Sequence, residues 1–348
     1  MWPEIAGHAL AADAPVFSIA EIGLNHNGDL QQALALVDAA ADSGATAIKL
    51  QTLFADRLVA ASCPPPAHVE AASLREFFAA FELDADAHRA VIARARAHGL
   101  AVLSTPFSEE VVPWLDALGI DAFKIASGDL TYDSLITTAA ETGKPLIVST
   151  GMSSLAEAAR AVRVARCAGN RQIAVLHCVS AYPTPAGSEN LRAIETLAGA
   201  LDVPVGLSDH SSDGVISAVA AVAMGACIYE RHLMLEGRDA IDAAVSSTPA
   251  EFKAIVLAME RARAALGDGQ KRCLPAEAAN MIPSRRGLYA RRPLRAGERI
   301  VHDDVIALRP VTGLSPADLP RLVGSIVPRD IAAGSAFEAT DLAIEKAS

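Results

Sequence analysis

Aromatic residues are scarce in this chain: Phe, Trp and Tyr together make up 4% of its 348 residues. The core must therefore be aliphatic, and 51% hydrophobic against 20% charged residues supplies enough such surface to exclude intrinsic disorder. Five cysteines, at positions 63, 167, 178, 227 and 273, form no CxxC pair and are odd in number, which argues against a disulfide framework. They are expected as reduced thiols in the cytoplasm. Cations are in deficit, with 30 Lys and Arg against 41 Asp and Glu and a net charge of −11. No general attraction to nucleic acid or to an anionic membrane is expected, and an anionic ligand would have to be held by local cations. The longest apolar run, residues 215–229, is shorter than the roughly 20 residues of a membrane span and contains Gly225. A buried helix followed by a buried strand is expected there. The first residues show no basic segment leading into an apolar one, so no secretory signal is expected. Neither GxGxxG nor GxxxxGK[ST] follows a strand-like run, which weakens a nucleotide-binding open sheet.

What the chain does have is a rhythm. From Val16 to about Leu266, short apolar runs alternate with amphipathic segments, most of them closed by a glycine such as Gly44, Gly99 or Gly119. Ser154 with Glu157 and Thr248 with Glu251 fit capping boxes, the second with Pro249 at the first helical position. Eight strand–helix units favour a (β/α)8 barrel of the TIM type over residues 1–267, a doubly wound open sheet being the alternative. Residues 268–283 read as a linker, and residues 284–348, with short β-like runs and turn glycines, as a small β-rich domain.

Strands of a parallel barrel are buried, so a polar residue at the C-terminal end of one is informative, because barrel enzymes place their chemistry at that end. Almost every strand here ends in such residues: Glu21, Lys49 with Gln51, Ser104 with Thr105, Lys124 with Ser127, Ser149, His177, Ser208 with His210, and Glu230 with His232. His210 and His232, from the seventh and eighth strands, could share a divalent metal, with open positions better suited to Mn2+ or Mg2+ than to structural Zn2+. They could equally be two unrelated polar histidines. Arg231, between Glu230 and His232, points the other way and reads as structural. Lys49 and Lys124 bring positive charge to the mouth and could pair with a phosphate and a carboxylate. A Schiff-base pyruvate aldolase on one of these lysines, or a non-catalytic carbohydrate-binding protein, stays open on these residues.

The motifs AEIGLNHNGD, KLQT, STPF, KIASGD, STGMSS, LHCVSAYPTP, GLSDHS and ERH, in this order, resemble the sialic acid synthase family, which makes N-acetylneuraminic, legionaminic and pseudaminic acids. The segments SRRGLYARRPLRAGE and LVGSIVPRDIAAGSAF are similar to the antifreeze-like (SAF) domain attached to those barrels. The resemblance implies condensation of phosphoenolpyruvate with an N-acetylated amino-sugar aldehyde and water, releasing phosphate by C–O cleavage. It assigns phosphoenolpyruvate to Lys49, Thr105, Lys124, Ser127, Ser149, Ser180 and Ser208, and the metal to His210 and His232. It places Glu21, Gln51, Tyr182, Glu230 and Asp242 at the sugar or the reacting centre. Arg286 matches an arginine inserted into the partner subunit's site, which implies a domain-swapped homodimer. The catalytic set is then Glu21, Lys49, Lys124 and Glu230, with Glu21 expected to handle a proton because a carboxylate on an apolar strand can have a raised pKa. Two departures bear on the sugar: Ser180 stands where neuraminate synthases commonly carry Asn, and the loop between Asp56 and Ser73 lacks the Asn that contacts the sugar in some members.

Overall fold

The alternation of apolar runs and amphipathic segments folds into strand after strand of one parallel sheet. The computed structural model describes residues 2–64 and 71–342. Among them, β1 (Phe17–Glu21), β2 (Ala47–Thr52), β3 (Ala101–Pro106), β4 (Ala122–Ile125), β5 (Leu146–Ser149), β6 (Ile173–Cys178), β7 (Val205–Ser208) and β8 (Ile228–His232) close into a barrel in which β8 pairs with both β7 and β1. The helices that follow them are α1 (Leu30–Asp42), α2 (Ala85–Ala97), α3 (Val111–Leu118), α4 (Asp133–Glu141), α5 (Leu155–Cys167), α6 (Ala193–Leu201), α7 (Gly214–Ala223) and α8 (Pro249–Leu266). The sequence did not point to the antiparallel hairpin of Glu4–Ile5 and His8–Ala9 that precedes β1, nor to the short helices Ala55–Leu58 and Leu74–Ala79 after β2.

The period of two along each strand sorts side chains into two cores. Ile19, Ala47, Leu103, Ile147, Leu176 and Ile228 point inward and fill the barrel interior. Ala20, Ile48, Val102, Phe123, Val148 and Val175 point outward and pack against helix residues such as Leu36, Val91 and Leu115. Gly206 allows the interior layers to interdigitate, because a Cβ there would run into Ile228 and Leu176. The inward positions one pleat further along the strands are polar and form the mouth.

Helix ends follow from local chemistry. Ser154 and Thr248 each accept from the backbone N–H three residues on, while Glu157 and Glu251 accept from the cap backbone, so both capping boxes form. The run at 215–229 becomes α7 followed by β8, yet the expected burial holds for only one side of the helix: Ile216 is 67% exposed, and Val215 and Val219 are also exposed. An outer barrel helix has only one face on the sheet, and the remaining face of α7 is apolar all the same. No helix among the described residues is long and apolar enough to cross a membrane.

The chain divides after Gly267, and the second unit spans Asp268–Ser348. Its first residues, which read as linker in the sequence, include a short helix, α9 (Ala278–Ser284). An antiparallel pair, β9 (Gly287–Ala290) and β10 (Val305–Leu308), supports a separate core of Leu288, Leu294, Ile300, Leu322, Ile331 and Phe337. Residues 343–348 of the small domain lie outside the described residues.

Candidate active site at the C-terminal mouth of the barrel

Strand register assembles the site. Glu21 is the pairing partner of both Lys49 on β2 and His232 on β8, and Glu230 is paired with Ser208 on β7. These side chains share one face of a closed sheet and converge on a cavity of about 330 Å³, together with Gln51, Thr105, Lys124, Ser127, Ser149, Ser180, Tyr182 and His210. Lys124 on β4 and Glu230 on β8 stand four strands apart around the barrel, yet across the mouth Lys124 Nζ lies 3.6 Å from Glu230 Oε1.

Two lysine-centred clusters occupy the floor. Lys49 is ion-paired with Glu21 Oε2 and donates to Thr105 Oγ1 at 3.1 Å. Burial pushes its pKa down to about 8, only partly opposed by Glu230. The other oxygen of Glu21 accepts from the Gly23 amide at 2.6 Å. A Cβ at residue 23 would collide with Glu21 and Gln51, so glycine lets the loop backbone close on the carboxylate. Donors thus meet both oxygens of Glu21. In the second cluster Lys124 donates to Ser149 Oγ at 2.6 Å, and Ser208 donates to Glu230 Oε1 at 3.0 Å. Burial alone would raise the Glu230 pKa, but the Lys124 and Lys49 ammonium groups outweigh it and hold the group below its ordinary value. Glu230 Oε2 is buried without a hydrogen-bond partner. It is an acceptor aimed at the mouth.

The serines form a separate edge. The Gly151 amide donates to Ser127 Oγ at 3.0 Å, and a Cβ on residue 151 would meet both Ser127 and Ser180. The hydroxyls of Ser127 and Ser180, just beyond β4 and β6, thus lie close together in the cavity that holds both lysines.

The rings of His210 and His232 have centroids 5.7 Å apart, and Tyr182, itself 56% exposed, lies over His210 at 4.2 Å. His210 lies two residues beyond the end of β7. Its Nδ1 is 3.0 Å from the Val179 carbonyl, which can only accept, so that nitrogen carries a proton and Nε2 is the one left for a ligand; burial lowers the pKa of this ring, but Cys178, the Val179 carbonyl and Glu230 outweigh it and raise it. Burial, reinforced by His210 and the lysines, pushes the His232 pKa well below its ordinary value and keeps that imidazole neutral. His232 Nδ1 is buried without a hydrogen-bond partner, with Asp242 Oδ2 3.3 Å away. Burial raises the Asp242 pKa to about 6. A free Nε2 backed by a carbonyl, and an orphaned imidazole nitrogen near a carboxylate, are donors that fit a divalent cation. Among the described residues no group of three or more His, Cys, Asp or Glu side chains is arranged to hold a metal, and the mouth brings together two imidazoles.

Not every strand-end polar residue belongs here. Ser104 points outward and bonds Thr52 Oγ1 at 2.7 Å, and His177, also outward, bonds the Glu189 carbonyl at 2.7 Å. Arg231 points away from the mouth as well, pairing with Asp209 Oδ2 at 3.1 Å. Arg286 belongs to the second unit, where it donates to the Ala307 carbonyl at 2.9 Å. Residues 65–70 of the loop between Asp56 and Ser73 lie outside the described residues. The cavity also has Phe107, Ala126, Met152 and Cys178 on its wall, to which the sequence did not point. Cys178 could have been found from alternation, since it shares parity with Leu176 and Ser180; Met152 is in a loop, where no period applies.

A closed parallel barrel with its polar constellation at the C-terminal mouth defines a barrel enzyme. The NeuB family profile matches residues 36–271, and the SAF domain profile matches residues 285–343. The chain is 36% identical over 92% of its length to the N,N'-diacetyllegionaminic acid synthase of Legionella pneumophila, covering 92% of that protein. It is 34% identical to a pseudaminic acid synthase of Campylobacter jejuni, over 94% of this chain and 97% of that one. A crystal structure of the N-acetylneuraminic acid (sialic acid) synthetase of Leptospira borgpetersenii in complex with citrate superposes with a TM-score of 0.69 at 33% identity, covering 77% of this chain and 90% of the other. The chain belongs to the NeuB family, the sialic acid synthases, and carries a SAF domain after its barrel.

Proposed function

We propose that this enzyme condenses phosphoenolpyruvate with an N-acylated amino-sugar aldehyde, either N-acetylmannosamine or a 2,4-diacetamido-trideoxyhexose, and water, giving a nine-carbon 3-deoxy-ulosonic acid and inorganic phosphate. The observation that carries this reading is the side-by-side placement of an anion-binding floor and an imidazole pair in one cavity. Relatives named as legionaminic and pseudaminic acid synthases, similar over more than nine-tenths of the chain, support it.

In the reaction, C3 of the enol ester bonds to the aldehyde carbon, whose oxygen takes up a proton; water adds at C2 and gives up its protons, and the C2–O bond breaks so that phosphate leaves with the bridging oxygen and C2 becomes a ketone. Lys49, Lys124, Thr105, Ser127, Ser149, Ser180 and Ser208 hold the phosphate and carboxylate, orienting C3 and offsetting their charge in a cavity drier than bulk water. Glu230 Oε2, free of protein partners, accepts from the incoming water or a sugar hydroxyl, while Glu21 keeps Lys49 in place and handles a proton at the reacting centre. Gln51, Tyr182 and Asp242 face the sugar. His210 and His232 would hold Mn2+ or Mg2+, which supplies Lewis acidity toward the aldehyde oxygen. Charge balance favours such a cation: the two lysines are already offset by Glu21 and Glu230, so a multiply charged ester brings uncompensated negative charge. Arg286 completes the sugar pocket of a second subunit in a domain-swapped homodimer, and the enzyme works in the cytoplasm.

The test is phosphate release from phosphoenolpyruvate with Mn2+ and a panel containing N-acetylmannosamine and the 2,4-diacetamido-trideoxyhexoses. Release is expected with at least one of them; silence across the panel would sink the substrate class.

A further inference from the structure

Met152 stands out on three counts. It is a non-glycine residue in the left-handed backbone region, with φ of 60°, a conformation that L-residues keep only when the surroundings hold it there. The surroundings do hold it: Thr150 N is bonded to the Leu176 carbonyl at 3.1 Å, the Gly151 amide to Ser127 Oγ at 3.0 Å, and Ser153 Oγ to the Gly151 carbonyl at 3.1 Å. Its side chain is 75% exposed although wholly apolar apart from the thioether. It also lines two cavities at once, the reaction cavity of about 330 Å³ and a neighbouring one of about 580 Å³ between the starts of α5 and α6. The second cavity is walled by Leu155, Ala158 and Leu197, with Asn190 and Thr196 at its polar edge.

Most of the reaction cavity is charged or hydroxylated, and the acyl tail on nitrogen is the apolar part of an N-acylated amino sugar. A flexible thioether packs well against such a group and can swing to admit a longer one. We propose that Met152 is a specificity-determining residue at the acceptor's N-acyl group, and that the cavity beyond it receives acyl chains longer than acetyl. This inference rests on the function proposed above.

The experiment measures phosphate release with saturating phosphoenolpyruvate and N-acetyl, N-propanoyl, N-butanoyl and N-pentanoyl forms of an accepted amino sugar, in the wild type, Met152→Ala and Met152→Gly. Each methylene that gains apolar cover is worth about fourfold in affinity. Opening the partition is therefore expected to improve kcat/KM for pentanoyl relative to acetyl by at least about tenfold, through the acceptor KM and with a smaller change in the KM for phosphoenolpyruvate. Met152→Gly relieves the backbone conformation, so its Tm should equal or exceed the wild-type value, and a folding defect cannot account for a changed preference. A pentanoyl-to-acetyl ratio constant within about twofold in both variants overturns the role of Met152 while leaving the proposed reaction standing. An equal shift in both KM values overturns it too. A wild type that releases no phosphate with any of the acceptors sinks the reaction and this inference with it.

Discussion

Lys49 shows how one residue couples binding to pH. Its ammonium is buried against Glu21, and desolvation brings its pKa to about 8. Below that value it is cationic and can hold an anion; above it the charge is lost. The kcat/KM for phosphoenolpyruvate should therefore be flat up to about pH 8 and fall roughly tenfold per pH unit beyond. Lys49→Arg, which cannot deprotonate in this range, should remove that alkaline limb even at lower activity. A limb that survives the substitution assigns it to another group. The same shift acts on stability in the other direction. Between about 8 and 10.5 the unfolded chain holds a proton that the folded chain has released, so this group's contribution to stability rises with pH across that window. Lysine at this position is thus placed for function at some cost to the fold.

Elements carry such residues into register. The outward-facing Asp209 and Arg231 alternate with His210 and His232 and tie β7 to β8 from behind, with Tyr229 also donating to Asp209 Oδ2 at 2.7 Å and Arg231 Nε to Ser247 Oγ at 2.6 Å. Gly214 leaves the space for the guanidinium, since a Cβ there would come within 3.1 Å of it. Arg231→Met alone leaves a buried carboxylate uncompensated and should destabilise the protein by about 3–5 kcal/mol in denaturant titration, most of it recovered in the double variant with Asp209→Asn. An additive double variant would show that the two side chains do not act as a pair. At the start of α8, Thr248→Ala removes half of a capping box and should cost about 1 kcal/mol. That corresponds to a Tm lower by about 2–4 °C in calorimetry, without a change in KM.

At the scale of the whole molecule, each unit has its own core, aliphatic layers in the barrel and Leu288, Ile300 and Phe337 among others in the SAF domain. Residues 1–267 expressed alone should fold, with far-UV circular dichroism typical of a barrel, yet release no phosphate if Arg286 completes the site. Arg286→Ala in the full chain should be equally inactive. Mixing it with a Glu230→Gln protein, refolded together, should restore turnover, because a hybrid dimer then has one site with both residues intact. Inactive hybrids would place Arg286 in its own subunit's site or in none.

Much of this was legible from residues alone. Short apolar runs between amphipathic segments, glycine stops after helices and two capping boxes carried the eight strand–helix units, because those signals are local and depend on backbone geometry. The ordered motifs located the mouth residues, since a charge on a buried strand end has few places to go. Closure of the sheet, by contrast, is a pairing of β8 with β1 across more than two hundred residues, and it alone puts His232 beside Glu21. It also decided that Ser104 and His177 face outward, that both oxygens of Glu21 meet donors while one of Glu230 does not, and that a loop methionine stands between two cavities. The physical reason is that a side chain's type and strand parity are set by its neighbours in the chain, whereas its hydrogen-bond partners and its desolvation are set by whatever the fold brings against it.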